Sequence, residues 1–230
     1  MDSNRSNDSA PFARILIVGG FCEPLWLLHP LRRALTPCAR SVEIWRDRIV
    51  FRNLDTSIQR LREQLVQPPI GDGGVAIVTH SFGDWIVRQA IAGCSEPPVG
   101  ALVSVAPIIG LSPIGRLLWC VAGKCVSEVP VMTDAELSSA NARLDGSIRR
   151  LVLWGEIDAL VRPVALVHEE NLVIEHYWAT HLSIVLQPNV QRRIRQFLCC
   201  DPSSRGAAVV RAACINNSRG ISSGFTGLTK

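Results

Sequence analysis

Several features are absent from the 230-residue sequence, and each absence excludes a class of protein. No run of about 18 uncharged apolar residues occurs, which excludes a membrane-spanning helix. Residues 1–5 have no apolar core behind a positive start, so the sequence does not predict a secretory signal. Charged residues make up only 19% against 47% hydrophobic residues, and this apolar content excludes wholesale disorder.

Paired metal-binding cysteines are absent too. The eight cysteines include no C-x-x-C pair, so the spacing of a zinc ribbon is missing. Several of them lie in apolar stretches, where a free cysteine behaves as a small hydrophobic residue. Because no signal peptide is predicted, we expect a reducing, cytoplasmic location with all eight cysteines as plain thiols.

The net charge of +4 is concentrated at the C-terminal end of the sequence. Residues 201–230 contain three arginines and Lys230 against Asp201, a net charge of +3, which leaves +1 for residues 1–200. A nearly neutral body with scattered arginines does not predict a nucleic-acid surface. We therefore expect no nucleic-acid partner, and the sequence leaves the oligomeric state open.

Short apolar runs alternate with helical patterns and predict the fold class. Six candidate strands cover residues 13–18, 41–45, 74–79, 101–106, 151–154 and 172–176. Continuous apolar strands are typical of a parallel sheet that is buried on both faces. The prediction is an α/β fold of three layers: a doubly wound, mostly parallel sheet of about six strands with helices on both faces.

Helical patterns lie between these strands. Ile58, Leu61 and Leu65 recur at helical spacing, and Asp55 or Thr56 is the expected cap. Further helices are predicted over residues 82–92, 113–123, 134–144 and 190–198.

The chain divides into three predicted regions. Residues 1–12 are polar and predict a flexible leader, residues 13–200 carry the α/β domain, and residues 201–230 predict a flexible basic tail. An insert at 107–147 interrupts the domain. It is either a small lid that lines an acyl pocket or an ordinary crossover helix of the fold, and the sequence favours neither.

The strongest chemical signal is the segment Val78-Thr79-His80-Ser81-Phe82-Gly83, which follows a predicted strand and opens a predicted helix. A serine on such a turn projects its hydroxyl above the sheet edge, and the backbone N–H of Phe82 points toward the same space. The helix N-terminus adds a partial positive charge that favours an oxyanion. The alternative is an ordinary strand–helix turn that happens to contain serine.

A serine hydroxyl is a weak nucleophile and needs a base. Among five histidines, His181 lies just past the last predicted strand, where a loop at the carboxyl edge of the sheet reaches Ser81. His80 is next to the serine on the same turn and is expected to point away from it. We predict His181 as the base; the alternative is a solvated loop histidine.

An acidic residue is needed to orient His181 and to stabilise it once it is protonated. Gly155-Glu156-Ile157-Asp158 follows the fifth predicted strand. Asp158 is better placed than Glu156, because Val161 and Pro163 then lead the chain away. A pair of ordinary loop acids is the alternative.

The loop after the first strand is the expected source of a second oxyanion donor. Gly19-Gly20-Phe21 ends that strand, and glycines let backbone approach a substrate closely. The backbone N–H of Phe21 is the candidate. A dinucleotide loop is the alternative, but Cys22-Glu23-Pro24 breaks the G-x-G-x-x-G pattern, and Gly71–Gly74 lacks the lysine of a phosphate loop.

Together these motifs resemble the α/β-hydrolase superfamily, and within it the compact bacterial lipase-like serine esterases. The resemblance covers about residues 13–200 and includes the order Ser81, Asp158, His181 along the chain. Gly19 departs from it, since the family often has histidine there, and Asp84 stands where a second glycine is frequent.

The resemblance implies hydrolysis of carboxylic esters, of small molecules or of lipids, through an acyl-enzyme and without a metal or organic cofactor. A substrate pocket is expected beside the serine, and its candidate residues are Gly20, Trp26, Pro107, Ile108 and Leu118. Two alternatives stay open: a thioesterase or amidase that uses the same residues, and a hydrolase-like binding protein that has lost turnover.

Overall fold

A computed structural model describes residues 10–67, 74–95, 99–122, 125–166 and 171–199. The predictions for most of the leader and for the whole basic tail therefore lie outside the described residues.

Six parallel strands form one sheet in the order β2-β1-β3-β4-β5-β6. The strands are β1 Phe12–Val18, β2 Ala39–Ile44, β3 Gly74–His80, β4 Val99–Val105, β5 Arg149–Gly155 and β6 Leu172–Tyr177. The chain winds outward in both directions from β1 and β3, so the predicted doubly wound fold is confirmed. Ligands of such sheets bind outside the carboxyl ends of the strands, near the point where the winding direction changes.

Seven α-helices lie within the described ranges: α1 His29–Leu35, α2 Leu54–Val66, α3 Phe82–Ala92, α4 Pro113–Ala122, α5 Glu128–Thr133, α6 Ala135–Ser139 and α7 Pro188–Cys199. None of them has the length and apolar character that crossing a bilayer requires. The cap of α2 is Asn53, whose side chain accepts a hydrogen bond from the Thr56 N–H, and not the expected Asp55 or Thr56.

The predicted helix over 134–144 is wrong in its extent. Asp134 is extended and caps α6 by accepting hydrogen bonds from the N–H groups of Glu136 and Leu137. The helix ends at Ser139, and Asn141 then adopts a φ of 54°, which a right-handed helix does not allow. Within the predicted range only the short helix α6, Ala135–Ser139, is formed.

Apolar side chains form one cluster on each face of the sheet. Alternate residues of β1 divide between them: Leu16 and Val18 belong to the first cluster, and Ile15 and Ile17 belong to the second. The first cluster includes residues of α2, α3 and the insert, and the second includes residues of α1 and α7. Helices thus cover both faces, as predicted.

A disulfide joins Cys38, just before β2, to Cys199 at the end of α7. Their Cα atoms are 5.4 Å apart, although the residues are separated by 161 positions in the chain. The prediction that all eight cysteines are thiols is therefore wrong. The two residues meet only because α7 packs beside the turn at 36–38, which no spacing along the chain reveals. The predicted cytoplasmic location loses this support, because disulfides are rare in reducing compartments.

Candidate active site

The three side chains that the sequence singled out all follow carboxyl ends of strands. Ser81 comes directly after β3, Asp158 lies in the loop after β5, and His181 lies in the loop after β6. Parallel strands end at one edge of the sheet, so the topology brings these loops together.

Ser81 has a strained backbone conformation, with φ 54° and ψ −125°. Two glycines that lie close to Ser81 in space leave room for this turn. A Cβ atom on Gly83 would lie 2.4 Å from the Val18 carbonyl oxygen, and one on Gly20 would lie 2.8 Å from the Ser81 Cβ. The first helical turn of α3 and the loop after β1 can therefore approach each other only without these side chains.

A chain of hydrogen bonds connects the three side chains. His181 Nε2 lies 2.8 Å from Ser81 Oγ, and His181 Nδ1 lies 2.7 Å from Asp158 Oδ2. The other carboxylate oxygen, Oδ1, accepts from the N–H groups of Leu160 at 2.8 Å and Val161 at 3.0 Å. A carboxylate only accepts, so Nδ1 carries the proton and Nε2 is free to accept from the serine hydroxyl.

The surroundings adjust both ionisable groups of this chain. Burial lowers the pKa of His181; the hydrogen bond to Asp158 opposes this, the charge of His80 adds to it, and the net shift is downward. Burial by itself raises the pKa of Asp158, but His181 and the two amides more than offset it and hold the pKa below its usual value. At neutral pH the histidine is thus neutral and the aspartate is charged, as a base and its orienting group need to be.

The backbone N–H groups of Phe82 and Phe21 are the two candidate oxyanion donors. Phe82 opens α3, and the first amides of a helix have no partner within it. The Gly20 N–H is occupied, because it donates to Glu23 Oε2 at 2.6 Å. The Phe21 N–H, which comes next, has no hydrogen-bond acceptor among the described residues.

Sequence reasoning missed the neighbours that hold this loop. Arg52 Nη2 donates to the Gly20 carbonyl at 2.8 Å, and Glu23 accepts from the Gly20 N–H. Glu23 mattered in the sequence only because it broke a glycine pattern, and Arg52 carried no signal. The Arg52 contact joins positions 32 residues apart, which no local motif encodes, whereas Glu23 reaches Gly20 from three positions away.

The other candidate pocket residues have different environments. Gly20 lies against Ser81, as described above. Pro107 and Ile108 are buried just past β4, Leu118 is half-buried in α4, and Trp26 is 68% exposed in a turn after β1. Their assignment to a substrate pocket stays a prediction. Over the ranges that the structure covers, no group of three His, Cys, Asp or Glu residues is arranged to hold a metal ion.

Comparison with solved structures identifies the fold. An esterase from Pyrococcus furiosus is 17% identical with a TM-score of 0.56, and the match covers 84% of this chain and 83% of that one. For an esterase from Pyrobaculum calidifontis the values are 13%, 0.53, 83% and 76%. For Aspergillus fumigatus lipase B they are 13%, 0.62, 87% and 56%. This chain has the α/β-hydrolase fold, which confirms the fold that the sequence motifs implied.

The limits of this likeness are equally clear. No protein-family model and no curated protein matches the sequence. The chain spans about half the length, 50%, of a metagenomic carboxyl esterase that it also matches. At identities below 20% the likeness establishes the fold, and the activity has to be argued from the residues of this chain.

Proposed function

We propose that this protein is a serine hydrolase that cleaves carboxylic esters through Ser81, His181 and Asp158. The observation that supports the proposal most strongly is the unbroken hydrogen-bond chain from Ser81 Oγ through the imidazole to the Asp158 carboxylate. Neighbours in the fold that are named as esterases and lipases agree with it. The same geometry serves acyl transfer in unrelated folds.

In the first step Ser81 Oγ attacks the ester carbonyl carbon while His181 Nε2 takes the hydroxyl proton. The carbonyl oxygen becomes an oxyanion, which the N–H groups of Phe82 and Phe21 stabilise by donating hydrogen bonds. His181 then gives its proton to the leaving alcohol, and the C–O bond to that alcohol breaks. The product is an acyl ester of Ser81.

In the second step water replaces the alcohol. His181 removes a proton from the water as its oxygen attacks the acyl carbon, and the same oxyanion donors act again. Collapse of the intermediate returns the proton to Ser81 and releases the carboxylic acid. Asp158 stays ionised throughout and stabilises the imidazolium that forms in each half of the reaction.

The acyl group of the substrate is assigned to the pocket beside Ser81 whose candidate residues are Gly20, Trp26, Pro107, Ile108 and Leu118. Exposed apolar side chains at this edge of the sheet support an apolar acyl group. Trp26 follows β1, and Trp178 and Leu182, which are 73% and 51% exposed, flank His181 in the loop after β6. Lipid esters are therefore included among the proposed substrates.

A fluorophosphonate probe tests the nucleophile directly, because it labels only an activated serine. We expect labelling of the wild-type protein, loss of labelling in Ser81→Ala, and a strong reduction in Asp158→Asn. Ser139→Ala is the matched control, since Ser139 is exposed on α6 and bonds only to carbonyls of its own helix. Equal labelling of wild type and Ser81→Ala would refute the assignment.

A panel of esters, thioesters and amides with increasing acyl length then separates the reaction classes. Turnover of esters ahead of thioesters and amides at equal acyl length supports the proposal. Preference for a thioester or an amide identifies a different leaving group with the same residues. Labelling without turnover of any member identifies a binding protein that has kept the nucleophile.

A further inference from the structure

His80 and Glu23 are buried, ionisable and adjacent, yet neither takes part in the proton transfers described above. Their side chains are 2% and 1% exposed, and His80 Nδ1 lies 2.9 Å from Glu23 Oε2. On the other side of the ring, His80 Nε2 lies 2.9 Å from the backbone carbonyl oxygen of His181.

The partners of the His80 ring determine its protonation. A carbonyl oxygen only accepts, so Nε2 carries a proton that it donates to His181. Glu23 Oε2 already accepts from the Gly20 N–H at 2.6 Å, which suits a carboxylate. Nδ1 lies 2.9 Å from the same oxygen, although the direction of this contact is outside hydrogen-bond geometry. An unprotonated Nδ1 would place its lone pair against a carboxylate at this distance, so the ring carries two protons and a positive charge opposite a negative one.

The pair connects two loops of the site. Glu23 holds the Gly20 N–H, so it fixes the backbone just before the Phe21 N–H. His80 holds the His181 carbonyl, so it fixes the loop that carries the base. Because His80 directly precedes Ser81 in the chain, these contacts fix both loops relative to the nucleophile.

We propose that His80 and Glu23 are positioning residues: a buried ion pair that holds the oxyanion loop and the His181 loop in register with Ser81. The inference rests on the proposed function, since positioning has meaning here only for acyl transfer. The two residues touch no reacting atom in this scheme and act through Gly20 and His181.

The same charge acts on the base itself. The rings of His80 and His181 are 4.9 Å apart between centroids. The ionisable groups that face His181 are Asp158, His80 and Glu23, and those that face His80 are Glu23, His181 and Asp158. A positive charge on His80 at this distance disfavours a second one on His181, so the base stays neutral to lower pH.

The pKa shifts of His80 and Glu23 favour the same charged forms as their contacts do. Burial by itself lowers the pKa of His80, but the negative charge of Glu23 more than offsets it and the net shift is upward. Burial raises the pKa of Glu23, whereas His80 and the Gly20 N–H lower it, and the net shift is downward.

Nitrogen NMR on the full wild-type chain tests the charge without reference to activity. Ring nitrogens of histidine have distinct chemical shifts in the neutral and doubly protonated forms. At about pH 7.5, a unit above the ordinary pKa of histidine, we expect the imidazolium pattern for His80 and the neutral pattern for His181. His80→Gln assigns the resonances. A neutral His80 at this pH overturns the proposal, whatever the enzyme does.

Ester kinetics test the positioning role. In Glu23→Gln and His80→Gln, with p-nitrophenyl butyrate as substrate, we expect kcat to fall about tenfold or more while KM changes little, because small misplacements of reacting groups cost rate. The acidic limb of the pH profile of kcat moves to higher pH in both variants. In Glu23→Gln the buried His80 ring loses its charge with its counter-ion, and the net effect on His181 is the loss of a positive charge. The limb moves further in His80→Gln, where the negative charge of Glu23 remains. His29→Gln, on the exposed start of α1, is the control and leaves kcat and the profile unchanged.

The outcomes separate this inference from the function on which it rests. Folded variants with wild-type kcat and an unshifted acidic limb overturn the positioning role while ester hydrolysis stands. A wild-type protein that hydrolyses nothing overturns the proposed function and the positioning role with it, and NMR still decides whether the ion pair exists.

Discussion

Two buried ionic clusters lie on either side of the turn that carries Ser81, and they fix different segments of the chain. The first, which we call the site cluster, consists of His80 and Glu23 and contacts the backbone of the two site loops. The second, which we call the insert cluster, consists of Asp84, Arg88 and Arg150. His80 and Asp84 lie on opposite sides of Ser81 in the sequence, yet their clusters extend toward different parts of the fold.

The insert cluster anchors the segment between β4 and β5 to α3. Arg88 is fully buried and donates to Asp84 at 2.8 Å, to the carbonyl groups of Ile108 and Ser138 at 2.9 Å each, and to that of Ala140. Trp85, on the same helix, donates to the Leu137 carbonyl at 2.8 Å. These bonds fix the part of the insert around α6, so it moves only if α3 loses its partners.

The difference between the clusters lies in how they ionise. Burial by itself raises the pKa of Asp84, but the charges of Arg88 and Arg150 and the hydrogen bond from Ser104 hold it below its usual value. Arginine keeps its charge at any ordinary pH, so the insert cluster is charged throughout. The site cluster depends on a histidine and loses its positive charge as the pH rises. The insert cluster therefore keeps its contribution to stability from about pH 4 upward and loses it only in acid, as Asp84 gains a proton. The site cluster titrates at higher pH and couples the site to pH.

The largest effect is expected from breaking the insert cluster. Arg88→Met leaves Asp84 buried without its closest positive charge and removes donors from three carbonyl groups. Removing one member of a buried ion pair costs about 3 to 5 kcal/mol of unfolding free energy. Denaturant unfolding at neutral pH, followed by circular dichroism, measures the loss.

A change below about 1 kcal/mol would contradict this account, since that is the size expected of an exposed pair. The activity of any folded fraction provides a second readout. Arg88 bonds to none of Ser81, Asp158 and His181 but holds the carbonyl of Ile108, a candidate pocket residue. We therefore expect the folded fraction to keep fluorophosphonate labelling, while KM rises.

A smaller and pH-dependent effect is expected from the site cluster. Glu23→Gln keeps the shape and an acceptor for the Gly20 N–H but removes the charge, at a cost of about 1 to 3 kcal/mol near pH 6. The raised pKa of His80 gives stability that is complete below about 6.5 and is lost as the pH rises through the folded value. The lowered pKa of Glu23 gives stability that is present above about 4.3 and persists at higher pH.

The stability difference between wild type and Glu23→Gln should therefore shrink as the pH rises from about 6, because His80 loses its proton. The difference for Arg88→Met should stay constant over the same range, because arginine as a residue type keeps its charge there and the pKa of Asp84 is lowered away from it. Urea unfolding at several pH values measures both differences. If both stability differences changed with pH in the same way, the two clusters would not differ in how they ionise.

The sequence predicts much of the sheet and the meeting of three side chains, because both follow from local patterns. Apolar runs mark strands, and residues just after the strands of a parallel sheet gather at one edge. Ser81, Asp158 and His181 were identified on that basis, and the structure brings their side chains within hydrogen-bond distance.

Contacts between distant segments leave no such pattern. The sequence predicts only that His80 points away from Ser81; its contacts with Glu23 and with the His181 carbonyl depend on how three loops pack. The disulfide between Cys38 and Cys199 depends in the same way on how α7 packs beside the turn before β2. These features need the tertiary structure, since each joins residues whose neighbours in sequence are unremarkable in charge and hydropathy.

The smallest effect is expected from a matched substitution on the surface. Arg193 lies in α7 and donates to Glu175 at 2.7 Å, a contact as short as that between Arg88 and Asp84. Its side chain is 26% exposed, however, and that of Glu175 is 19% exposed, so water and salt screen the pair. Arg193→Met makes the same substitution as Arg88→Met, again within a helix, so the change in helix propensity is the same in both variants. We expect a loss below about 1 kcal/mol that shrinks further in 0.5 M salt. A loss as large as that of Arg88→Met would mean that hydrogen-bond length, and not burial, sets the strength of these ion pairs.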